Sequence, residues 1–540
     1  MLGSWRQFAY VHLPKGMSWL DISQYRQALV LAVMLAANIV GLRLRTHSWR
    51  EAQKRAGSLA VINLIPLCTG VSFGFPADLL HVDRHMLAWF HRWVGRICVL
   101  HSLLHCSLLV SVARTTNLAN PRYIVPIAAG SALVLVIPVT CAAVQRRHMQ
   151  FAMKCHYLLA VTAICALIYH LMERQSLYRW YLVGAICLWF SISAVVCMVA
   201  VWNQKPWKSS RNEVTMNSVS QFLWLDITLP LNRPIRPGQY VQLWMPRASF
   251  RACFQLPLFY VAFWEDGPIQ RTVRMVAEPQ LGLTRKLYHD ALEFPSRQPV
   301  IVLGPYGHPL NFYRFGTILF VVEDIGFFRA LSYIEMLVQA SHKREVMVRK
   351  LEVLWKRRVG TDGYPKWVNK WIEQLFHLDR KGFCILQFSI YCPRTQSGPE
   401  ENISYQQGER LWYFYGSVNI EEEVARLINN QCGDVAVAVC ASPSIREAVT
   451  KSVQPRAGRN LRLMIFDPDT FHARGEDEGL PDSIQSTIGD CQHPPPTVTG
   501  EDNQIEQVRR VRADGKGPQS SLSEEVNTQT GSVQMGNHAK

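Results

Sequence analysis

Residues 91–105 read HRWVGRICVLHSLLH, with His91 and His105 closing a stretch of Leu, Val, Ile, Cys and Trp that otherwise suits a lipid-facing helix. Burying imidazole in hydrocarbon costs free energy unless it finds a partner, and an ionisable residue inside a membrane segment is by default a functional-site candidate. The two histidines stand fourteen positions apart (105 − 91), about four helical turns and roughly 21 Å of rise, on one face of a helix. Residues 156–170, HYLLAVTAICALIYH, repeat the spacing with His156 and His170. One apolar segment separates the two stretches, so they run in the same direction through a bilayer. His91 can then face His156, and His105 can face His170. Two stacked His–His pairs suit two b-type haems, one near each leaflet, and bis-His ligation leaves no open iron position, so such haems carry electrons. His101, one turn before His105, has Ala166 as its counterpart and reads as a packing residue.

Working outward, the chain has 540 residues, 49% of them hydrophobic, which is too long for one domain. Apolar residues concentrate in roughly the first 200. Six segments there (28–42, 57–75, 86–112, 123–144, 151–171 and 180–202) approach the ~20 residues that cross a bilayer as a helix. No basic stretch, short apolar core and small-residue cleavage site precede them, so a removable signal peptide is not expected. The positive-inside rule gives a near tie: Arg43, Arg45, Arg50, Lys54 and Arg55 stand against Arg146, Arg147, Lys154, Lys205, Lys208 and Arg211. A net charge of +16 suits a membrane surface, and no nucleic-acid-binding pattern competes with that reading. The 14 cysteines form no CxxC pair, which argues for reduced, buried thiols rather than a disulfide framework or zinc site. The Asn-x-Ser sequon at Asn402 falls in the globular part and reads as unused.

Beyond residue 203 the patterning changes. QYVQLWM and TVRMVAE alternate apolar and polar residues with turn signals between them, which predicts a small antiparallel barrel up to about residue 300. From Thr317, short apolar strands (TILFVV, LEVLW, CILQFSIYC, VAVAVCA, NLRLMIF) alternate with helical stretches at 327–340, 366–378 and SIREAVTKSV. That alternation predicts a parallel α/β domain with helices on both faces. YPKWVNKWIEQLFHL is amphipathic and reads as core packing. The expected organisation is an N-terminal segment (1–27), a six-helix membrane domain with the paired histidines (28–202), a barrel-like domain (203–308), an α/β domain (309–473) and a disordered tail (474–540).

Several of these stretches carry a resemblance. RAGSLAVINLIPL, HRWVGRICVLHSLLH and HYLLAVTAICALIYH resemble the fungal ferric reductases and, more distantly, the NADPH oxidases, over about residues 55 to 471. The resemblance implies that His91, His105, His156 and His170 ligate two haems, and that electrons pass from NADPH to FAD and through both haems to an acceptor on the far side. The globular part is similar to ferredoxin-reductase-like dehydrogenases, so the fold implied is a multi-pass α-helical membrane domain followed by a ferredoxin-reductase-like β-barrel and an α/β nucleotide-binding domain. RPGQYVQL resembles the flavin-barrel strand, LGLTRKLY, with Thr284, the phosphate-proximal turn, and GPYG, with Gly304 and Gly307, the interdomain link. VCASPSIREAV, with Cys440, resembles the nicotinamide-side Cys loop, and Phe471 falls where an aromatic covers the flavin.

Two departures stand out. Where the family has His-Pro-Phe-Ser/Thr to hold the flavin, residues 256–260 read LPLFY; only Pro257 survives, with Tyr260 able to offer a hydroxyl one position later. Where the family has a Gly-Gly-x-Gly run at the nucleotide turn, this chain has Glu323, Asp324, Ile325 and Gly326, so one glycine remains. Two carboxylates facing a pyrophosphate at ~4 Å and an effective dielectric of ~20 would each cost on the order of 4 kcal/mol, about three powers of ten in binding. Lys356, Arg357 and Arg358 follow the second strand, where a 2′-phosphate would lie, and would offset part of that repulsion in favour of NADPH.

The function implied is a membrane oxidoreductase of ferric-chelate reductase type, in the plasma membrane, with its dehydrogenase half and tail cytoplasmic. Its acceptor would be an extracytoplasmic metal chelate, ferric iron, or a redox partner. The rivals are a b-type cytochrome with a degenerate dehydrogenase half, a scaffold that keeps the fold for partner binding, and an electron donor to a biosynthetic, secondary-metabolite enzyme.

Overall fold

The computed structural model describes residues 21–22, 25–44, 46–112, 121–173, 176–204, 212–219, 222–230, 234–249, 252, 255–268, 270–279, 282–293, 296–358, 366–393, 403–407, 410–416, 418–429, 433–456 and 460–466. Asn402, Phe471 and the tail 474–540 lie outside them.

The N-terminal half is helical: α1 (Tyr25–Arg43), α2 (Trp49–Ile62), α3 (Gly74–Leu79), α4 (Arg84–Val112), α5 (Pro121–Val139), α6 (Ala142–Glu173) and α7 (Arg179–Gln204). Four of these contain stretches long and apolar enough to cross a membrane: Tyr25–Arg43, Arg84–Ser111, Phe151–Glu173 and Arg179–Trp202. A shorter apolar stretch, Ile124–Val139, occupies α5. The expected span at 57–75 does not form. Its first part belongs to α2, which starts earlier, where Ser48 caps it by accepting from the Glu51 amide and Glu51 accepts from the His47 amide. The helix stops at Asn63 and a single 3₁₀ turn follows at Ile65–Leu67. Pro66 has no amide to continue the helical ladder, and Gly70 takes a left-handed φ of 77° against Ile192, so an apolar composition is folded into a turn. Outward-facing Leu29, Val33, Leu100, Leu158, Val161, Phe190 and Trp202 give the long helices a lipid-compatible surface.

The next part is an antiparallel sheet of seven strands: β1 (Glu213–Val219), β2 (Phe222–Pro230), β3 (Tyr240–Trp244), β4 (Leu258–Asp266), β5 (Gln270–Ala277), β6 (Ser296–Pro299) and β7 (Ile301–Tyr306). Their order is β6-β1-β2-β5-β4-β3-β7. The two edge strands are separated in sequence by Val300 alone, so the sheet has to curl until its edges meet, as a barrel does. Alternate residues Val214, Met216, Leu223, Leu225, Val273 and Met275 fill its interior, closed by Leu283 and Leu287 of helix α8 (Leu283–Glu293).

The last part is a second seven-stranded sheet: β8 (Thr317–Glu323), β9 (Lys350–Lys356), β10 (Leu386–Cys392), β11 (Ile403–Gln407), β12 (Leu411–Tyr415), β13 (Val435–Cys440) and β14 (Leu461–Ile465), in the order β11-β12-β10-β9-β8-β13-β14. All pairs are parallel except β11 with β12. Ile318, Phe320 and Val322 of β8 face α9 (Gly326–His342) and α10 (Lys366–Arg380), whereas Leu319 and Val321 face α11 (Ile420–Asn429) and α12 (Pro443–Val453). Both faces are therefore covered, which is why β8 and β13 are buried throughout.

Candidate functional site

His91 on α4 and His156 on α6 meet, with ring centroids 6.2 Å apart and ring planes at 70°. The Nδ1 atoms of both are buried and have no hydrogen-bond partner among the described residues. Two imidazole nitrogens each about 2 Å from one metal, with ring centres about 1.1 Å further back, stand roughly 6 Å apart centre to centre. The separation of the two rings matches that of two imidazoles sharing one iron. Phe73 lies edge-on to His91 at 5.4 Å. Among the described residues no group of three or more His, Cys, Asp or Glu gathers for a metal ion.

His105, four turns along α4, is held differently. Its Nδ1 bonds the Gln53 carbonyl at 2.8 Å, which puts the proton on Nδ1 and the lone pair on Nε2. A Cβ on Gly57 would stand 2.7 Å from that Nδ1, so α2 makes room for the ring with a glycine and fixes it with a carbonyl one turn earlier. Neither Gln53 nor Gly57 carries a signal in the sequence beyond the glycine itself. His170 is half-buried near the C-terminal end of α6. His101 is buried and bonds Asn38 Oδ1 at 3.1 Å, with Asn63 donating to the same oxygen at 2.8 Å.

The helical half is seated on the barrel through α3. Asp78 accepts from the Gly307 amide at 3.1 Å and lies 3.6 Å from His308, whose ring stacks on His81. Gly74 leaves space for Tyr306: a Cβ there would come within 2.6 Å of its ring. Gly307, at φ 102°, and Gly304, at φ 104°, occupy the left-handed region that the link requires. On the barrel side Tyr240 contacts both Tyr260 and Tyr306, at 5.7 and 6.1 Å between ring centroids.

At the expected flavin position Pro257 accepts from the Leu243 amide at 3.1 Å, and Tyr260 pairs with Tyr240 across β3 and β4. One face of Tyr260 is covered by Arg329, a buried residue of α9 whose guanidinium carbon lies 3.4 Å from the ring centroid and 5.6 Å from that of Phe466. Thr284 sits in the first turn of α8, and Cys440 is buried at the end of β13.

At the turn expected to meet the nucleotide, the Glu323 and Asp324 side chains do not point to solvent. Both side chains are 5% exposed and pair with Arg358, whose Nε lies 3.3 Å from Glu323 Oε1 and 2.9 Å from Asp324 Oδ2. Burial by itself would lower Arg358, but the Glu323 and Asp324 carboxylates hold it above its ordinary value. Gly326 starts α9. The basic run expected at a 2′-phosphate divides: Arg357 is buried with its guanidinium over Trp355, Lys356 is a half-buried strand residue opposite Glu323 in the β8–β9 register, and Arg358 is engaged by the two acids. Adjacent residues of an extended chain point opposite ways, so three consecutive cations cannot all face one ligand.

No protein-family model matches the chain. It is 25% identical over 331 residues to a probable cell surface ferric reductase, kap2, of Aspergillus oryzae, the match covering 56% of this chain and 43% of that protein. It is also 25% identical over 238 residues to ferric reductase transmembrane component 6 of Saccharomyces cerevisiae, covering 40% of this chain and 31% of that one. The chain spans less than half the length of these curated relatives. Among solved structures it is similar to a flavohemoglobin from Malassezia yamatoensis with bound FAD and heme, at a TM-score of 0.37 and 13% identity over 78% of this chain and 99% of that one. The ferredoxin reductase of a carbazole 1,9a-dioxygenase gives a TM-score of 0.33 at 12% identity, over 48% of this chain and 70% of that one.

Proposed function

We propose, from the premise that this chain is a relative of the fungal ferric reductases, that it is a plasma-membrane oxidoreductase passing electrons from a cytoplasmic reductase half to an extracytoplasmic ferric chelate. Two b-type haems, held by His91 with His156 and by His105 with His170, would supply one-electron transfer. FAD is the carrier that the resemblance implies, and electrons reach it either from NADPH, as the resemblance also implies, or from a separate reductase. The observation that carries the reading is the contact between His91 and His156 on two apolar helices, with both Nδ1 atoms buried and lacking a hydrogen-bond partner among the described residues. The chain's own work is positional: α2 fixes the tautomer of His105, and α3 ties the His91 end of the helices to the barrel.

An anaerobic visible spectrum of the detergent-purified chain, recorded alone, with NADPH and then with dithionite, tests this. Reduced b-type bands after dithionite are expected; a spectrum without them at any stage rejects the proposal. Within that spectrum, His91→Ala and His156→Ala are expected to remove one and the same haem, and His105→Ala and His170→Ala the other. Depletion of a single haem by His91→Ala and His170→Ala would break the pairing.

A second reading, a haem-carrying chain fed by a separate reductase, is favoured by one observation, the ion-paired carboxylates at the nucleotide turn. Bands that appear with dithionite but not with NADPH would select it. Delivery of electrons to a biosynthetic enzyme instead of iron is a variant of either reading.

A further inference from the structure

In an open α/β sheet, ligands lie in the crevice outside the carboxyl ends of the strands where the strand order reverses. Here that point falls between β8 and β13: the chain proceeds from β8 to β9 on one side and from β13 to β14 on the other. Glu323 ends β8, and Ser442 is the N-cap residue of α12, immediately beyond β13. The Ser442 amide donates to Glu323 Oε2 at 2.8 Å, so a bond of the chain itself crosses the crevice from lip to lip. The other Glu323 oxygen pairs with Arg358. Asp324 completes the closure, its Oδ1 accepting from the Arg358 amide at 2.7 Å.

This arrangement is fixed from behind. Asp324 has a left-handed φ of 42°, a conformation glycine would take without strain. Its amide donates to the Lys356 carbonyl at 3.0 Å, and its own carbonyl accepts from Trp355 Nε1 at 3.2 Å. Two groups beside this crevice suited to a phosphate are the amide at the N-terminus of α12 and the Arg358 guanidinium beyond the second strand. Both are already engaged by carboxylates. A pyrophosphate entering here would have to displace both bonds and face two buried acids.

We infer that Glu323 and Asp324 are an internal substitute for the dinucleotide's pyrophosphate, and that the crevice of the native chain does not hold NADPH. The inference rests on the sheet topology and this ion pair rather than on the haems, so a binding measurement distinguishes its failure from failure of the spectrum.

Equilibrium dialysis of the full-length, detergent-purified chain against NADPH tests it. The native chain is expected to show no saturable binding up to about 1 mM. A chain carrying Glu323→Gly and Asp324→Gly together is expected to bind at least ~100-fold more tightly, because two like charges leave the pyrophosphate position. Saturable micromolar binding by the native chain overturns the inference. So does the absence of any gain in a double variant whose far-UV circular dichroism matches the native chain. Should the double variant not fold, Asp324→Gly alone, which suits the left-handed φ, is expected to gain about 10-fold, and no gain there overturns the inference equally.

Discussion

At the scale of single residues, two glycines state where the fold has no room. Gly57 faces His105 so closely that a Cβ would fall 2.7 Å from the ring nitrogen that bonds Gln53. Gly57→Val is therefore expected to displace the imidazole and lower the haem content by about half, as His105→Ala would, without touching the haem lost in His91→Ala. A haem spectrum per milligram of protein checks this, and full content in Gly57→Val would refute it. Gly238 has φ 77°, and a Cβ there would lie 2.0 Å from the Tyr333 hydroxyl, which accepts from the Leu310 amide. Burial raises that phenol to about 12, so it stays protonated at any ordinary pH. Gly238→Ala is expected to destabilise the barrel and α/β half by ~2–3 kcal/mol, through strain and overlap together. Tyr333→Phe in the same chain removes the overlapping oxygen and should restore part of the loss in a thermal melt; an equal or greater loss would place the cost elsewhere. That a glycine matters was legible at GPYG, where the turn signal is local. Gly57 and Gly238 were not legible, because the atoms that crowd them come from α4 and α9, distant in sequence.

At the scale of elements, the short helix α3 does what its length does not suggest. It carries Gly74 onto Tyr306 and Asp78 onto the Gly307 amide and His308, joining helices to barrel. Asp78→Ala leaves a half-buried amide without its acceptor and is expected to cost ~1–2 kcal/mol. Hydrogen exchange at Gly307 is the direct readout: faster exchange with unchanged rates in β8 and β13 is expected, and unchanged exchange at Gly307 would show that the contact is not formed in solution. The segment 57–75 shows the limit of reading elements from composition. Its apolar content resembles a membrane span, yet Pro66 and Gly70 divide it, and the helix that remains, α2, becomes the support for His105. Strands fared differently. TILFVV and VAVAVC are apolar without alternation because both of their faces are covered by helices, and that pattern is visible in one dimension.

At the scale of the whole molecule, residues Tyr240, Tyr306, Val196 and Ala200 form one buried cluster between α7 and the barrel, so the helices and the barrel share a core. The aromatic groups from Tyr260 through Tyr240 and Tyr306 to the Gly74 end of α3, and Phe73 against His91, lie in sequence along that junction. The amino-acid sequence by itself determined what local periodicity encodes: apolar helices with histidines fourteen residues apart, an alternating antiparallel segment, and short apolar strands interleaved with helices. It also displayed the acids at the nucleotide turn, but not their partners. Whether Glu323 and Asp324 would meet solvent, phosphate or a cation was decided by the tertiary structure, through an arginine beyond the next strand and an amide 119 residues away. The physical reason is range. Backbone propensity and patterning act over a few residues, whereas the partner of a buried charge is set by which strands the sheet places side by side, and that order is written nowhere in the neighbourhood of the charge.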